Sequence, residues 1–194
     1  MQCYHRPVPS RLPPDVRRKL EPIRLLVLDV DGVLTDGALL YTGQGEEVKV
    51  FHVRDGLGIR LLQRCGIGVA VITGRSAAAV RTRCRDLGLA DEDIVLGSRD
   101  KLADLSALTA RLDLDDQEVA VMGDDLQDLP MLARAGFAVC PADAVPEVAA
   151  ACDLVCGTPG GRGAVREVAE LLLKAAGRWS EVVEAFAGPR GEPR

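Results

Sequence analysis

Short apolar runs alternate with longer amphipathic segments along most of this chain. The apolar runs are aliphatic and closed by turn residues, so they predict buried β-strands at residues 23–28, 68–72, 94–96, 118–122, 138–140 and 154–155. The segments between them predict helices at residues 56–64, 77–87, 101–112, 126–135, 146–151 and 164–176. Repeated strand–helix units imply right-handed parallel crossovers. We therefore expect an α/β fold with a doubly wound parallel sheet.

Residues 36–53 interrupt this alternation. Two strand-like fragments, residues 38–41 and 47–52, flank the run Thr42-Gly43-Gln44-Gly45. Glycines between two short strands are typical of a hairpin turn. This segment therefore predicts a small β-hairpin flap.

The two ends of the chain differ in composition from the part between them. Residues 1–21 contain several prolines and basic residues but no apolar core of the kind a signal peptide requires, so we expect a flexible N-terminal arm. Residues 22–178 are expected to form one domain, and residues 179–194 a C-terminal tail. The tail is Gly- and Pro-rich from residue 188, which predicts disorder there.

Composition narrows the class of protein. Hydrophobic residues make up 47% of the chain but aromatic residues only 3%, an aliphatic core that suits a parallel sheet covered on both faces. The net charge is −5 and basic residues are interspersed with acidic ones, so the sequence shows no basic patch of the kind that binds nucleic acid. No apolar stretch approaches the roughly 20 residues of a membrane span. Six cysteines without a Cys-x-x-Cys pair predict reduced thiols, so we expect a cytoplasmic protein.

The first predicted strand ends in two acids, Asp29 and Asp31. Residues two apart on a strand point the same way, so both carboxylates can face one volume beyond the strand, where Gly32 allows a sharp turn. Two acids held together repel and require a cation, a proton or both. A solvated acidic turn is the alternative.

The next two strands also end in polar residues. Thr73-Gly74-Arg75-Ser76 combines a hydroxyl, a flexible backbone and a helix start, which favours an anion site, although capping by Thr73 or Ser76 is equally compatible. Lys101 begins another helix, where a cation is unfavourable unless an anion lies between it and the helix. Otherwise it is an ordinary surface lysine.

The strand at residues 118–122 is followed by three acids, Asp124, Asp125 and Asp128. They indicate a magnesium site or an acidic helix cap. In a doubly wound sheet ligands bind beyond the carboxyl ends of the strands, so all these groups are expected to meet. Carboxylates, a hydroxyl and a lysine supply what phosphoryl transfer through an aspartyl-phosphate needs.

These segments resemble the haloacid dehalogenase superfamily of phosphatases, whose first motif is Asp-x-Asp-x-Thr/Val. More narrowly, the chain resembles the 3-deoxy-D-manno-octulosonate 8-phosphate (KDO 8-phosphate) phosphatase family. The matching segments are residues 28–37, 45–58, 72–75, 123–128 and 160–167. The first motif marks only the superfamily, whereas the hairpin and Gly160-Gly161-Arg162-Gly163 are more specific. The family usually has asparagine where His52 stands.

The resemblance implies roles for the acids. Asp29 is the nucleophile, and Asp31 protonates the departing sugar oxygen and then deprotonates the attacking water. Mg²⁺ is held by the Asp29 carboxylate, the Asp31 backbone carbonyl and Asp124. Asp125 and Asp128 orient these ligands.

The resemblance also implies how the substrate is bound. Thr73, the Gly74 backbone and Lys101 bind the phosphoryl oxygens. Three arginines are candidates for the sugar: Arg75, Arg54 and Arg162. Arg162 is expected on the sugar carboxylate, in its own or a neighbouring subunit, with a solvated arginine as the alternative. Related phosphatases of nine-carbon sugars carry an acid at the position of Arg75, which therefore favours the eight-carbon sugar. Asp55, with Arg54, is expected at the entrance.

Enzymes of this superfamily often close the site with a large cap domain, and a hairpin is too small for that. The resemblance implies a homotetramer in which hairpins associate and subunits complete one another's sites. An apolar hairpin face of Leu39, Tyr41, Val48 and Val50 fits this arrangement. The alternative is that this face packs on its own domain.

Three other functions compete with this one. The chain could act on another sugar phosphate, of the nonulosonate 9-phosphate type. It could be an accessory domain in sialic-acid or keto-sugar cytidylyltransferase metabolism. A signalling receiver domain shares the chemistry, but its phosphorylated aspartate follows the third strand, where this chain has Gly97-Ser98.

Overall fold

The computed structural model describes residues 14–187. Its strands are β1 (Leu25–Leu28), β2 (Leu40–Tyr41), β3 (Glu47–Val48), β4 (Gly68–Thr73), β5 (Ile94–Leu96), β6 (Val119–Met122), β7 (Phe137–Cys140) and β8 (Leu154–Val155). Its helices are α1 (Pro14–Leu20), α2 (Val53–Arg64), α3 (Ala78–Asp86), α4 (Lys101–Leu112), α5 (Leu129–Arg134), α6 (Pro146–Ala151), α7 (Ala164–Ala175) and α8 (Trp179–Ala187). Short 3-10 turns lie at Asp91–Asp93, Asp116–Glu118 and Leu126–Asp128. None of the described helices is long and apolar enough to cross a bilayer.

Six parallel strands form the main sheet, in the order β5-β4-β1-β6-β7-β8. Leu25 at the start of β1 pairs with Gly68 on one side and Val119 on the other, so three central strands begin in register. The chain winds outward first through β4 and β5 and then, from the other side of β1, through β6 to β8. The predicted doubly wound sheet is confirmed, and its reversal of direction at β1 and β6 marks the place where such folds bind ligands.

Aliphatic side chains cover both faces of this sheet. Alternation along β1 sends Leu26 and Leu28 to one face, with α2 and α7, and Leu25 and Val27 to the other, with α4 and α5. All four side chains of β1 are buried. The strand is therefore enclosed along its length, and only its carboxyl end leads to polar surroundings.

Helix α2 begins three residues earlier than the pattern predicts. His52 occupies the N-cap, where its Nδ1 accepts a hydrogen bond from the backbone N–H of Arg54 at 3.3 Å. An asparagine at this position offers the same kind of acceptor. The departure from the family pattern at residue 52 thus retains a capping side chain.

The predicted arm and tail are more ordered than the sequence indicates. The prediction of a flexible arm is wrong for Pro14–Leu20, because these residues form α1 and Leu20 is buried in the core. The first part of the tail forms α8, whose Trp179 ring lies 5.4 Å from the charged groups of both Arg166 and Lys174. The rest of both predictions, residues 1–13 and 188–194, lies outside the described residues.

The predicted hairpin is confirmed as an antiparallel pair of β2 and β3, with Leu40 opposite Val48. Within residues 14–187 no large cap domain accompanies it. Its apolar residues remain exposed, Val50 by 64%, so this face does not pack on its own domain. The exposed apolar residues of the hairpin are Leu39, Leu40, Tyr41, Val48 and Val50. Because Leu40 lies opposite Val48 and Tyr41 lies opposite Glu47, Tyr41 is on the other side of the hairpin, so the hairpin face consists of Leu40, Val48 and Val50.

Candidate active site

Three carboxylates meet beyond the ends of β1 and β6. Asp29 follows β1, Asp124 and Asp128 follow β6, and one oxygen from each lies within 4.8 Å of the others. The backbone N–H of Asp29 donates to the carbonyl of Met122 at 3.0 Å, so the sheet ladder itself places Asp29 beside β6. Asp29 and Asp128 are buried. The structure therefore brings Asp29 together with two acids that lie 95 and 99 residues further along the chain.

Lys101 lies among these acids. Its Nζ is 2.9 Å from Oδ1 of Asp29 and 2.6 Å from Oδ1 of Asp128, and the residue is only 6% exposed. The alternative of a surface lysine is therefore wrong. Its position at the start of α4 is unfavourable for a cation, but the two carboxylates offset this cost.

The cluster carries more negative than positive charge. Burial, followed by the charge of Asp128, raises the pKa of Asp29 to about 6, although Lys101 opposes the shift. Burial and the charges of Asp29 and Asp128 raise the pKa of Asp124 to about 7. Two like charges in a partly buried site disfavour ionisation of the carboxyl groups, and a bound cation reverses that effect.

Several buried carboxylate oxygens of the cluster lack a hydrogen-bond partner. Both oxygens of Asp29 and Oδ1 of Asp124 are buried without a hydrogen-bond partner among the described residues, apart from the ion pair with Lys101. Buried polar atoms in folded proteins rarely lack a hydrogen-bond partner. A hard divalent cation with oxygen ligands would satisfy them, so these residues fit Mg²⁺.

Two glycines allow this close approach. Gly32 has φ +88°, and a Cβ there would lie 1.9 Å from Oδ2 of Asp124. A Cβ at Gly123 would lie 2.4 Å from Cβ of Asp128. Any side chain at either position would push the acids apart.

The two acids predicted to orient the cluster behave differently. Oδ2 of Asp128 accepts hydrogen bonds from the backbone N–H groups of Asp124 (3.0 Å) and Asp125 (3.4 Å), so it holds the loop that carries Asp124. Asp125 is exposed, and its Oδ1 caps the following 3-10 turn through the N–H of Leu126 at 2.7 Å. The Asp125 side chain is therefore not brought into the cluster.

Asp31 lies beside the cluster, in contact with the hairpin. Its Oδ1 contacts Nζ of Lys49 and lies 3.5 Å from Oγ1 of Thr35. Its Oδ2 is buried, lacks a hydrogen-bond partner in the described part of the chain, and lies 3.9 Å from Nε of Arg75. The two oxygens of Asp31 therefore differ, because Oδ1 is held by Lys49 whereas Oδ2 accepts no hydrogen bond from the described residues.

Sequence reasoning missed Lys49. Its side chain has no exposed surface, and its Nζ also lies 2.6 Å from Oε1 of Glu47. Burial lowers the pKa of Lys49, but the contacts with Asp31 and Glu47 outweigh it and the net pKa is raised, so the ammonium persists. The available signal was spacing, since Glu47 and Lys49 alternate with apolar Val48 and Val50 and so share one side of the strand.

The Thr73 segment turns sharply at the end of β4. Thr73 is buried, its hydroxyl oxygen accepts from the backbone N–H of Arg75 at 3.3 Å, and its carbonyl accepts from Ser98 at 3.0 Å. Ala77 occupies the N-cap of α3 without a side-chain cap, so the alternative of capping by Thr73 or Ser76 is wrong. The Thr73 hydroxyl proton remains available for an anion.

Arg75 connects this turn to the hairpin. Its Nε and Nη2 donate to the two carboxylate oxygens of Glu47 at 3.3 and 3.0 Å, and Nη2 also reaches Oη of Tyr41 at 3.0 Å. No described residue accepts a hydrogen bond from Nη1. The guanidinium is therefore held rigidly, with one edge still free to bind a ligand.

The loop carrying Arg162 packs on the turn after β1. The N–H of Gly161 donates to the carbonyl of Val33 at 2.9 Å, and a Cβ at Gly160 would lie 1.7 Å from the carbonyl oxygen of Gly32. Arg162 is exposed and pairs with Asp36 at 3.1 Å. Its loop thus adjoins the cluster, and its side chain points outward.

The two residues expected at the entrance differ in their exposure to solvent. Arg54 is exposed in the first turn of α2. Asp55 is buried and accepts from the backbone N–H groups of Gly163 (3.1 Å) and Arg166 (2.8 Å). The prediction that Asp55 lines the entrance is wrong, because both of its oxygens anchor the start of α7.

Comparison with known proteins agrees with this geometry. A family model of haloacid dehalogenase-like hydrolases matches residues 91–167. The KDO 8-phosphate phosphatase KdsC of Escherichia coli (strain B / BL21-DE3) is 47% identical over 167 residues, which are 86% of this chain and 88% of that protein. A crystal structure of KDO 8-phosphate phosphatase from Yersinia pestis superposes with a TM-score of 0.84 at 44% identity, covering 86% of this chain and 89% of that one.

One further structure contains ligands. KDO 8-phosphate phosphatase from Moraxella catarrhalis, in complex with magnesium ion, phosphate ion and KDO, superposes with a TM-score of 0.86 at 40% identity. The match covers 89% of this chain and 98% of that one. At this identity and coverage, the chain belongs to the KDO 8-phosphate phosphatase family of haloacid dehalogenase-like hydrolases.

Proposed function

We propose that this protein is a Mg²⁺-dependent phosphomonoesterase that hydrolyses KDO 8-phosphate to KDO and phosphate. The observation that carries the proposal is the buried Asp29, ion-paired with Lys101 and set against Asp124, in a family whose Moraxella catarrhalis member binds magnesium, phosphate and KDO. A carboxylate nucleophile with a cation beside it suits transfer of a phosphoryl group to the protein.

The first step forms an aspartyl-phosphate. An oxygen of Asp29 attacks phosphorus, while Lys101, the Thr73 hydroxyl and the Gly74 backbone N–H bind the phosphoryl oxygens. The carboxylates of Asp29 and Asp124 and the backbone carbonyl of Asp31 would hold Mg²⁺, which neutralises charge on the transferring group. Asp128 keeps Lys101 and the Asp124 loop in place through both of its oxygens.

Asp31 transfers the protons. It gives a proton to the departing sugar oxygen, because an alkoxide is a poor leaving group. In the second step it accepts a proton from the water that attacks the aspartyl-phosphate. Its side chain, unlike that of Asp29, lies against the hairpin rather than in the three-acid cluster, which supports this division of roles.

Three arginines are assigned to the sugar. Nη1 of Arg75 has no acceptor among the described residues, and Nε of the same guanidinium lies 3.9 Å from Oδ2 of Asp31, which supports a contact of Arg75 with the sugar. Arg162, exposed on its loop, is assigned to the sugar carboxylate, in its own or a neighbouring subunit, and the exposed Arg54 is assigned to the entrance.

We also propose a homotetramer assembled through the hairpin face, and a cytoplasmic location. Five apolar residues exposed on one small hairpin support burial against another copy of the chain. The five cysteines in the described part of the chain are free, which supports a reducing compartment: Cys65, Cys84, Cys140, Cys152 and Cys156.

A panel of sugar phosphates tests the activity. We expect the highest kcat/KM for KDO 8-phosphate, a lower value for nonulosonate 9-phosphates, and no phosphate release in EDTA. Asp29→Asn should abolish turnover and leave the circular dichroism spectrum unchanged, because the amide is isosteric but not nucleophilic. Activity of this variant would contradict the nucleophile assignment. A preference for nine-carbon substrates would contradict the substrate, and no release from any sugar phosphate would favour an accessory role.

A further inference from the structure

We propose that Lys49, which the hairpin inserts into the site, is a positioning residue that aims Asp31 at the departing sugar oxygen. The inference rests on the acid–base role of Asp31 proposed above. It assigns a function in the chemical step to the hairpin, beyond covering the site.

The argument begins with the two oxygens of Asp31. Oδ1 contacts the Lys49 ammonium and lies 3.5 Å from the Thr35 hydroxyl, whose single proton is shared with the carbonyl of Val30 at 3.4 Å. Oδ2 is buried without a hydrogen-bond partner among residues 14–187. A carboxyl group whose Oδ1 accepts a hydrogen bond from an ammonium carries its acidic proton on Oδ2. Lys49 therefore selects the oxygen that donates, and fixes the direction of donation.

Lys49 is itself held by the chain rather than by solvent. Oε1 of Glu47 forms an ion pair with Lys49, and the two oxygens of Glu47 accept hydrogen bonds from Nε and Nη2 of Arg75. Arg75 also donates to the hydroxyl of Tyr41. The Lys49 side chain is enclosed completely. Its ammonium is paired with both Asp31 and Glu47, and these two contacts favour a positioning role over capture of the sugar.

The assigned steps balance. In the first, an Asp29 oxygen bonds to phosphorus, the bond from phosphorus to the sugar oxygen breaks, and the proton on Oδ2 of Asp31 moves to that oxygen. In the second, water attacks phosphorus, the bond to Asp29 breaks, and a water proton returns to Oδ2. Misalignment of Asp31 slows both steps for a sugar phosphate. For p-nitrophenyl phosphate it slows only the second, since nitrophenolate departs without a proton.

Pre-steady-state kinetics of Lys49→Met test this. With p-nitrophenyl phosphate we expect a rapid burst of about one nitrophenolate per site, then slow turnover. With KDO 8-phosphate we expect no burst of KDO and a kcat lower by about 10²-fold, the lower end of what general acid–base catalysis contributes, with KM little changed. Lys49→Arg should recover part of kcat. The matched control is Lys174→Met, which removes an exposed lysine paired with Glu170 and should behave as the native protein.

Asp31→Asn separates the two levels of the argument. If Asp31→Asn lacks the burst, the role proposed for Asp31 is wrong; if it bursts and Lys49→Met does not, only the inference about Lys49 fails. Equal slowing of bond cleavage in both substrates, or a raised KM at unchanged kcat, would also overturn the inference. Should Lys49→Met not fold, Glu47→Gln, which loosens the hold on Lys49, should give the same burst with a smaller loss of kcat, and its absence would count against the proposal.

Discussion

At the scale of single residues, the site is governed by an imbalance of charge. Asp29, Asp124 and Asp128 share one ammonium, that of Lys101, in a largely buried space. The raised pKa values of Asp29 and Asp124 express this imbalance, because protonation is the alternative to binding a cation. Stability and metal binding are therefore both linked to pH.

We expect Mg²⁺ to raise Tm more at about pH 8 than at about pH 5. The folded pKa values of Asp29 and Asp124, about 6 and about 7, exceed the ordinary 3.8, so the folded state binds more protons than the unfolded state between these values. The stability that this proton uptake contributes is present at low pH and is lost as pH rises through about 6 to 7. The cation then replaces the protons.

Thermal denaturation in EDTA and in Mg²⁺ at both pH values measures this effect. Asp124→Asn should raise Tm in EDTA at the higher pH, since it removes one of the repelling charges, and should abolish most of the shift with Mg²⁺. A metal shift that is the same at both pH values, or larger at the lower one, would contradict the linkage.

At the scale of elements, one side chain joins two helices that flank the site. Asp55 of α2 accepts from the N–H groups of Gly163 and Arg166, at the point where the Arg162 loop enters α7. These donors belong to the first turn of α7, which has no side-chain cap of its own. Asp55 thus fixes both the helix and the end of the loop beside β1.

Asp55→Ala is expected to lower the free energy of unfolding by about 1–3 kcal/mol, because buried N–H groups lose their acceptor. Asp55→Asn should cost less, since its amide oxygen still accepts. Urea denaturation measures both, with Asp86→Ala, on the exposed end of α3, as the control. A loss for Asp55→Ala no greater than that of the control would show that the two hydrogen bonds contribute nothing to stability.

At the scale of the whole molecule, the hairpin joins surface and site. Its apolar side faces outward as the exposed hairpin face, and its charged side faces Asp31 and Arg75. If hairpins of neighbouring subunits pack together, assembly also holds Glu47 and Lys49 against the site. The proposed tetramer and the catalytic geometry would then be coupled.

Val50→Asp is expected to shift the assembly to smaller species and to lower kcat for KDO 8-phosphate. The change puts a charge on the hairpin face, where Val50 is 64% exposed, and a charge buried at an interface opposes association. Sedimentation equilibrium measures the mass, and Val183→Asp on α8, where Val183 is 49% exposed, is the matched control. A native protein that is monomeric at micromolar concentration, or a Val50→Asp variant that remains tetrameric and fully active, would refute this assembly.

The sequence by itself determined the parallel sheet, the hairpin and the acids at the strand ends. These follow from periodicity and from turn residues, which act over a few neighbours: the run before Asp29 has no polar residue after Arg24, and Gly43 and Gly45 mark the turn. The resemblance then supplied the roles of Asp29, Asp31 and Asp124. Local pattern also misplaced the ends of the domain, since the burial of Leu20 and the packing of Trp179 depend on distant helices.

Only the tertiary structure decided which polar groups touch. Asp125 and Asp128 have the same chemistry and lie three residues apart, yet one is exposed and the other enclosed with Lys101. The sequence predicts Asp55 at the entrance, but in the fold it is hydrogen-bonded to the start of α7. The sequence shows Lys49 only as part of a strand-like fragment, but in the fold its ammonium contacts Asp31. Each contact joins segments far apart in the chain, and periodicity carries no information about such pairings, because they depend on how the sheet and its insert fold back on one another.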